Sequence, residues 1–302
     1  MTVSAPWLMV TASLLFAVMG LCVKLASDQY GAGEIVLYRS LVGLLAMGAM
    51  MRWRGVGWRT RVPGMHFWRS VTGTTALCLW FVAIGGLPLA TAMTLNYMSS
   101  VWIALFLIGG SMLLAPDRGG SGLVDGRLVA AVLSGFAGVA LVLRPTIGQE
   151  QIWYGLVGLG SGLIAATAYL QVTALGRIGE PGERVVLYFC ATGVVFGAVI
   201  ALSSGGLHAH SARGLALLAA IGILATLAQW MMTLAYGSGA TLGIAALQYL
   251  GIVFSFLLGV LVFDEQPTVL SSIGVVLIVA AGVAATLLRP RPRSDITPTP
   301  ES

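Results

Sequence analysis

Val36-Leu37-Tyr38 comes back as Val186-Leu187-Tyr188, and the same shift of about 150 positions carries Trp80 onto Trp230 and Ala90-Thr91 onto Ala240-Thr241. After two residues of slippage Leu95-Asn96-Tyr97 meets Leu247-Gln248-Tyr249, and Arg144-Pro145 answers Arg289-Pro290. The chain is a duplication. Each copy holds five apolar stretches, an odd number, so the two copies must enter a bilayer from opposite sides. Inverted repeats of this kind recur in transporters, with the substrate site near the midplane between them.

The composition agrees with a lipid environment. Of the 302 residues 58% are apolar and 9% charged, against a near-even apolar share and about one-quarter charge in soluble domains. Stretches of roughly 20 apolar residues, the length that crosses a hydrocarbon core, lie at 6–25, 34–51, 65–86, 89–114, 127–143, 152–176, 184–202, 213–236, 241–263 and 269–288. The first stretch has no Lys or Arg ahead of it and exceeds the apolar core of a secretory signal, so it reads as helix 1. The expected fold is an all-α membrane protein with ten transmembrane helices, arranged as two inverted five-helix repeats around a central cavity. Residues 1–143 form the first repeat, 144–151 an outer-side connector, 152–288 the second repeat and 289–302 a disordered cytoplasmic tail rich in Arg, Pro, Ser and Thr.

The net charge of +5 sorts by side of the membrane. With the N-terminus inside, the cytoplasmic segments collect Arg52, Arg54, Arg59, Arg61, Arg69, Arg118, Arg127, Arg177, Arg184, Arg289, Arg291 and Arg293. The outer side keeps Lys24, Arg39, Arg144 and Arg213. The positive-inside rule then puts both termini in the cytoplasm, with ten crossings. No aromatic platform or nucleic-acid-binding motif accompanies Arg52 to Arg61, so nucleic acid is not an expected partner. Expected partners are the lipid bilayer and a small-molecule substrate, and the protein is expected to work as a monomer.

No enzyme chemistry is legible. Every carboxylate, Glu34 included, falls near a span end, in a loop or in the tail, and His66, His208 and His210 do likewise. No base stands beside a buried Ser or Cys, no helical His/Glu set could hold a metal, and no cofactor is implied. Cys22, Cys78 and Cys190 lack ligand spacing and read as small packing residues. Proton-driven pumps commonly hold an acid at depth, so facilitated diffusion or exchange is expected over proton antiport.

Neutral and aromatic residues remain at depth. Thr94, Tyr97 and Ser100 follow an i, i+3 row with Asn96 beside them, and Thr241, Gln248 and Ser255 recur at seven-residue intervals on the second copy. Asn96 and Gln248, each followed by Tyr, lie near the midplane. Trp80 and Trp102 are deeper than the interfacial tryptophans Trp7, Trp53, Trp58, Trp68 and Trp153. The expected substrate residues are Trp80, Asn96, Tyr97, Ser100, Trp102, Gln248 and Tyr249; the competing reading is that the amides join helices and the rings fill a core. Lys24, Arg39 and Glu34 are candidates for gating or charge, either as a structural ion pair or as an outer-mouth attractor for a substrate carboxylate. Gly158/Gly162 and Gly193/Gly197 have the four-residue separation of tightly packed helices.

Duplicated five-helix units, a Lys ending helix 1, an Arg on helix 2, and Asp264-Glu265 before Ser272-Ile273-Gly274 and Ala281-Gly282-Val283 resemble the drug/metabolite transporter (DMT) superfamily, EamA type. Within it the chain is most similar to the aromatic amino acid exporters of the YddG type, a resemblance that implies the bacterial inner membrane as its location. The resemblance covers residues 5 to 290 and implies a ten-helix basket with alternating access; the expected activity is export of small neutral metabolites, above all aromatic and other hydrophobic amino acids. The first half departs from the family pattern, reading Gly109-Gly110-Ser111 with no acid until Asp117, so no symmetric role for Glu265 is implied. A proton-coupled efflux antiporter and a non-transport membrane scaffold are the alternatives.

Overall fold

A computed structural model describes residues 4–87, 89–103, 105–106, 126–143, 152–238 and 241–263, with short pieces between 269 and 284. Regular structure among the described residues is helical throughout: α1 Ala5–Ala26, α2 Ala32–Arg54, α3 Pro63–Gly86, α4 Leu89–Tyr97, α5 Gly126–Leu143, α6 Ile152–Arg177, α7 Gly182–Ser203, α8 Ala212–Gly237, α9 Thr241–Leu247 and α10 Leu250–Phe263. Seven segments among these residues are long and apolar enough to cross a membrane: α1, α2, α3, α6, α7, α8 and the run Gly243–Val262 through α9 and α10. The protein is a multi-pass membrane protein. The expected connector 144–151, the tail 289–302, residues 107–114 of the fourth stretch, Gly109-Gly110-Ser111, Asp117 and Asp264-Glu265 lie outside the described residues, as does much of 269–288.

Local chemistry marks the helix ends. Pro6 and Pro63 stand in the first turns of α1 and α3, where a missing N–H has no intrahelical acceptor to lose. Gly55 closes α2 at φ 66°, a left-handed conformation that favours glycine. Ser211 caps α8 by accepting from the Gly214 N–H at 2.9 Å.

Two expected continuous helices are instead interrupted, at matching places in the two copies. A turn at Met98 follows Asn96-Tyr97 before helix resumes at 99–103, and a turn at Gln248-Tyr249 separates α9 from α10. At the second break the backbone tightens to three-residue bonds, from Gln248 N to Ala245 O (3.2 Å) and Tyr249 N to Ala246 O (3.3 Å). The Ala245 carbonyl also accepts from Ser100 Oγ at 2.7 Å, so the break in one copy is tied to the segment after the break in the other.

The long helices pair antiparallel across the two copies. Gly33 at the start of α2 lies against Ala201 near the end of α7, and Gly43 lies against Cys190 midway. Gly86 at the end of α3 meets Tyr154 at the start of α6. α1 packs on α8, with Gln29 just beyond α1 accepting from Ser211 Oγ at 3.2 Å. Exchanging α1–α3 for α6–α8 turns the α1/α8 pair into the α6/α3 pair and returns α2/α7 to itself.

Glycines set how close these pairs come. A Cβ at Gly162 would stand 2.5 Å from the Leu95 carbonyl oxygen, and one at Gly197 would stand 2.5 Å from the Leu37 nitrogen. Both expected glycine pairs therefore lie at close helix contacts, as small residues do in lipid-embedded bundles. Trp7, Trp53, Trp58, Trp68 and Trp153 are exposed near helix ends, where an interfacial belt belongs.

Both ends of the α2/α7 pair are tied by polar contacts among helix ends and loops. At one end Glu180 accepts from Thr60 Oγ1 (2.8 Å) and Arg184 Nη1 (2.9 Å) and bonds His66 Nε2 (3.2 Å). Tyr188 there donates to the Trp58 carbonyl at 3.1 Å, and Arg54 pairs with Glu183. At the other end Tyr38, the repeat mate of Tyr188, bonds His210 Nε2 at 2.7 Å, and Glu34 bonds His208 Nδ1 at 2.8 Å.

Candidate functional site

The antiparallel pairs leave a cavity between them. It is walled by Phe16 of α1, Arg39 of α2, Arg69, Gly73, Leu77 and Trp80 of α3, and Asn96 and Tyr97 of α4 from the first copy. The second copy contributes Ala165, Ala168 and Tyr169 of α6, Phe189 of α7 and Gln229 of α8. A site built from both copies, beside interrupted helices, has the geometry of a carrier's substrate pocket.

Two arginines dominate its chemistry. Arg39 and Arg69 are 3% and 2% exposed, and neither pairs with a described carboxylate. Their guanidinium carbons stand 5.3 Å and 4.6 Å from the centroid of the same ring, Phe189. Gly73 makes this possible one turn after Arg69: a Cβ there would collide with the Arg69 guanidinium. In both arginines Nε and Nη1 are buried without a hydrogen-bond partner. Trp80 Nε1, Tyr97 Oη and Gln229 Nε2 are likewise buried and unpartnered. The wall therefore presents N–H and O–H donors around fixed positive charge, facing aromatic surface from Phe16, Trp80 and Tyr169.

The residues singled out by sequence divide into three groups. Trp80, Asn96 and Tyr97 line the cavity. Trp80 also meets Phe16 edge-on, with centroids 6.5 Å apart, and Asn96 also donates from Nδ2 to Ser161 Oγ at 3.0 Å, so its amide joins helices as well as facing the pocket. Ser100, Trp102, Gln248 and Tyr249 are not among the lining residues. Ser100 is committed to the Ala245 carbonyl, Gln248 Nε2 faces the Met232 sulfur at 3.8 Å, Trp102 packs beside Phe106 at 6.5 Å, and Tyr249 lies where a Cβ at Gly135 would press.

The charged trio is not an ion pair. Lys24 Nζ donates to the carbonyls of Ile84 (3.0 Å), Gly85 (3.1 Å) and Leu87 (2.9 Å), closing the C-terminal end of α3. Glu34 is held by His208, and only Arg39 reaches the cavity. Arg69 corrects the charge map: grouped by sequence with the cytoplasmic arginines, it is buried in the cavity wall. Its signal was its place inside the stretch 65–86, between Trp68 and Ser70. Phe16, Tyr169, Phe189 and Gln229 carried no such signal, since nothing in their spacing separates a wall residue from a packing residue.

No protein-family profile matches the chain. It is 32% identical over 277 residues to the pseudopaline exporter of Pseudomonas aeruginosa strain UCBPP-PA14, covering 92% of this chain and 94% of that one. An uncharacterised transporter of Helicobacter pylori strain 26695 is 27% identical over 287 residues, covering 91% and 92%. A riboflavin transporter of Rhizobium johnstonii is 26% identical over 226 residues, covering 74% and 70%. A crystal structure at 23% identity superposes with a TM-score of 0.75 over 94% of this chain and 97% of its own, a shared fold.

Proposed function

Because the chain belongs to the family of membrane transporters that includes the pseudopaline exporter of Pseudomonas aeruginosa, we propose that it exports small carboxylate-bearing metabolites of the amino-acid type, with aromatic or other apolar bodies. The observation that carries this reading is the cavity shared by both copies, where Arg39 and Arg69 meet an aromatic wall of Phe16, Trp80 and Tyr169. A guanidinium fork suits a carboxylate, and stacked or edge-on rings suit an aromatic body. The assignment to the EamA type within the drug/metabolite transporters, and the kinship with aromatic amino acid exporters, rest on the sequence resemblance.

The carrier works by alternating access between two inverted five-helix repeats, ten spans in all, as a monomer in the bacterial inner membrane with both termini cytoplasmic. Support comes from the antiparallel mate pair α2/α7 and from the exchange of the α1/α8 and α6/α3 pairs, which a twofold axis in the membrane plane produces. Among the described residues lining the cavity none is a carboxylate that could carry a proton, which supports facilitated diffusion or exchange over proton antiport. Flux of phenylalanine, tryptophan, threonine and related acids from proteoliposomes, with and without a pH gradient, tests the proposal. Movement of at least one, saturable and independent of the gradient, is expected. Absence of flux for every compound would refute the substrate class, and strict dependence on the gradient would refute the facilitator mechanism.

A further inference from the structure

We infer that the preferred substrate carries two carboxylates on an apolar or aromatic body, one for each of Arg39 and Arg69. The inference rests on the transport reading only for calling the bound molecule a substrate; the binding chemistry stands on the cavity itself. Arginine stays protonated in proteins, so the pocket holds two positive charges that no described side chain neutralises. The face of Phe189 answers both cations only through its quadrupole, a modest attraction compared with a carboxylate. Charges buried in a membrane span are retained where they meet a partner or a pathway. Here the described chain supplies no acid, so the acid arrives with the ligand.

The number of acid groups follows from the charge balance. Arg39 and Arg69 project from different helices, α2 and α3, and each has its own buried, unpartnered Nε and Nη1. Both guanidinium groups lie beside one ring, within reach of one small molecule. A single carboxylate brings one negative charge and leaves the second positive charge of the pair uncompensated. A zwitterionic amino acid supplies one carboxylate and adds an ammonium to the two positive charges, so it binds, but more weakly than a diacid. Trp80 Nε1, Tyr97 Oη and Gln229 Nε2 supply further hydrogen bonds to acceptor oxygens.

Binding to the purified full-length protein, read by tryptophan fluorescence and by thermal stabilisation, tests this with four probes of similar body: benzylsuccinate, its monomethyl ester, L-phenylalanine and phenyl phosphate. Benzylsuccinate is expected to bind roughly ten- to hundredfold more tightly than its half-ester, the effect of one charged hydrogen-bonded contact, and more tightly than L-phenylalanine. Arg39→Gln and Arg69→Gln should each erase most of that preference. Without ligand, the same variants should melt at or above the native temperature, since each removes an unpaired buried charge; a structural arginine would lower it. Should a glutamine variant fail to fold, the comparison of diacid with half-ester on the native protein still decides. Equal affinity for those two, retention of the preference in both variants, or tighter binding of phenyl phosphate than of benzylsuccinate would overturn the inference. Diacid binding without any flux would instead count against the transport reading and leave this one standing.

Discussion

At the scale of single residues, the charged groups show how position decides role. Lys24, Arg39 and Arg69 are all cations within apolar segments, yet Lys24 is satisfied by three backbone carbonyls while the arginines are left for the cavity. Lys24→Ala should therefore destabilise the protein by about 1–3 kcal/mol through the freed end of α3, lowering the melting temperature without changing probe preference. Gly73→Ala should do the reverse, displacing the Arg69 guanidinium and weakening diacid binding at least severalfold in a titration. Glu180, in the loop between α6 and α7, gives a pH prediction. Burial pushes its carboxyl up, but bonds from Thr60, Arg184 and His66 outweigh burial and hold its pKa below the ordinary value. A depressed carboxylate stabilises the fold above its unfolded pKa, and the contribution is lost as pH falls through the folded one. Melting temperature should thus fall on acidification below about pH 4.3, and Glu180→Gln should flatten that decline.

At the scale of elements, the two interrupted helices are the departure from periodicity that matters most. One break follows the amide-Tyr pair Asn96-Tyr97 and the other falls on its mate Gln248-Tyr249; Asn96 and Tyr97 line the cavity, whereas Gln248 and Tyr249 are buried away from it. The tie from Ser100 Oγ to the Ala245 carbonyl joins the two breaks, so Ser100→Ala should loosen both. Faster hydrogen exchange at Gln248 to Ile252, with the outer helices unaffected, is the expected signature; unchanged protection there would show that the tie is idle. Gly162 supplies a second test at this scale. A side chain there meets the Leu95 carbonyl, so Gly162→Val should part α6 from α4 and cost about 1–3 kcal/mol, measured as a loss of thermal stability.

At the scale of the whole molecule, the α2/α7 pair carries a polar tie at each end, built around the mate tyrosines Tyr38 and Tyr188. Alternating access requires that the two ends open in turn, so weakening one tie should shift the population toward opening there. With Cys22, Cys78 and Cys190 replaced by alanine, a cysteine introduced at Ala168 in the cavity wall reports this through impermeant thiol reagents. Combining it with Tyr38→Phe and His210→Ala should raise labelling from that end severalfold, and Tyr188→Phe should raise it from the other. Identical labelling in all variants would show that these ties do not govern access.

Much of this was legible in the residues alone because lipid imposes one-dimensional constraints. The duplication and the apolar lengths are local properties, and helix bounds expected from the apolar stretches fall within three residues of those observed for α1–α3 and α6–α8. Trp80, Asn96 and Tyr97 could be singled out because depth along a span follows from counting. What required the tertiary structure was which face of each helix meets which neighbour. Helical periodicity cannot say that Arg69 turns inward beside Arg39, that Phe189 of the other copy lies under both, or that Ser100 and Gln248 find partners elsewhere. Those outcomes depend on contacts between different helices, some as far apart in sequence as Ser100 and Ala245 or Arg39 and Phe189, and burial and charge are decided only once such segments meet.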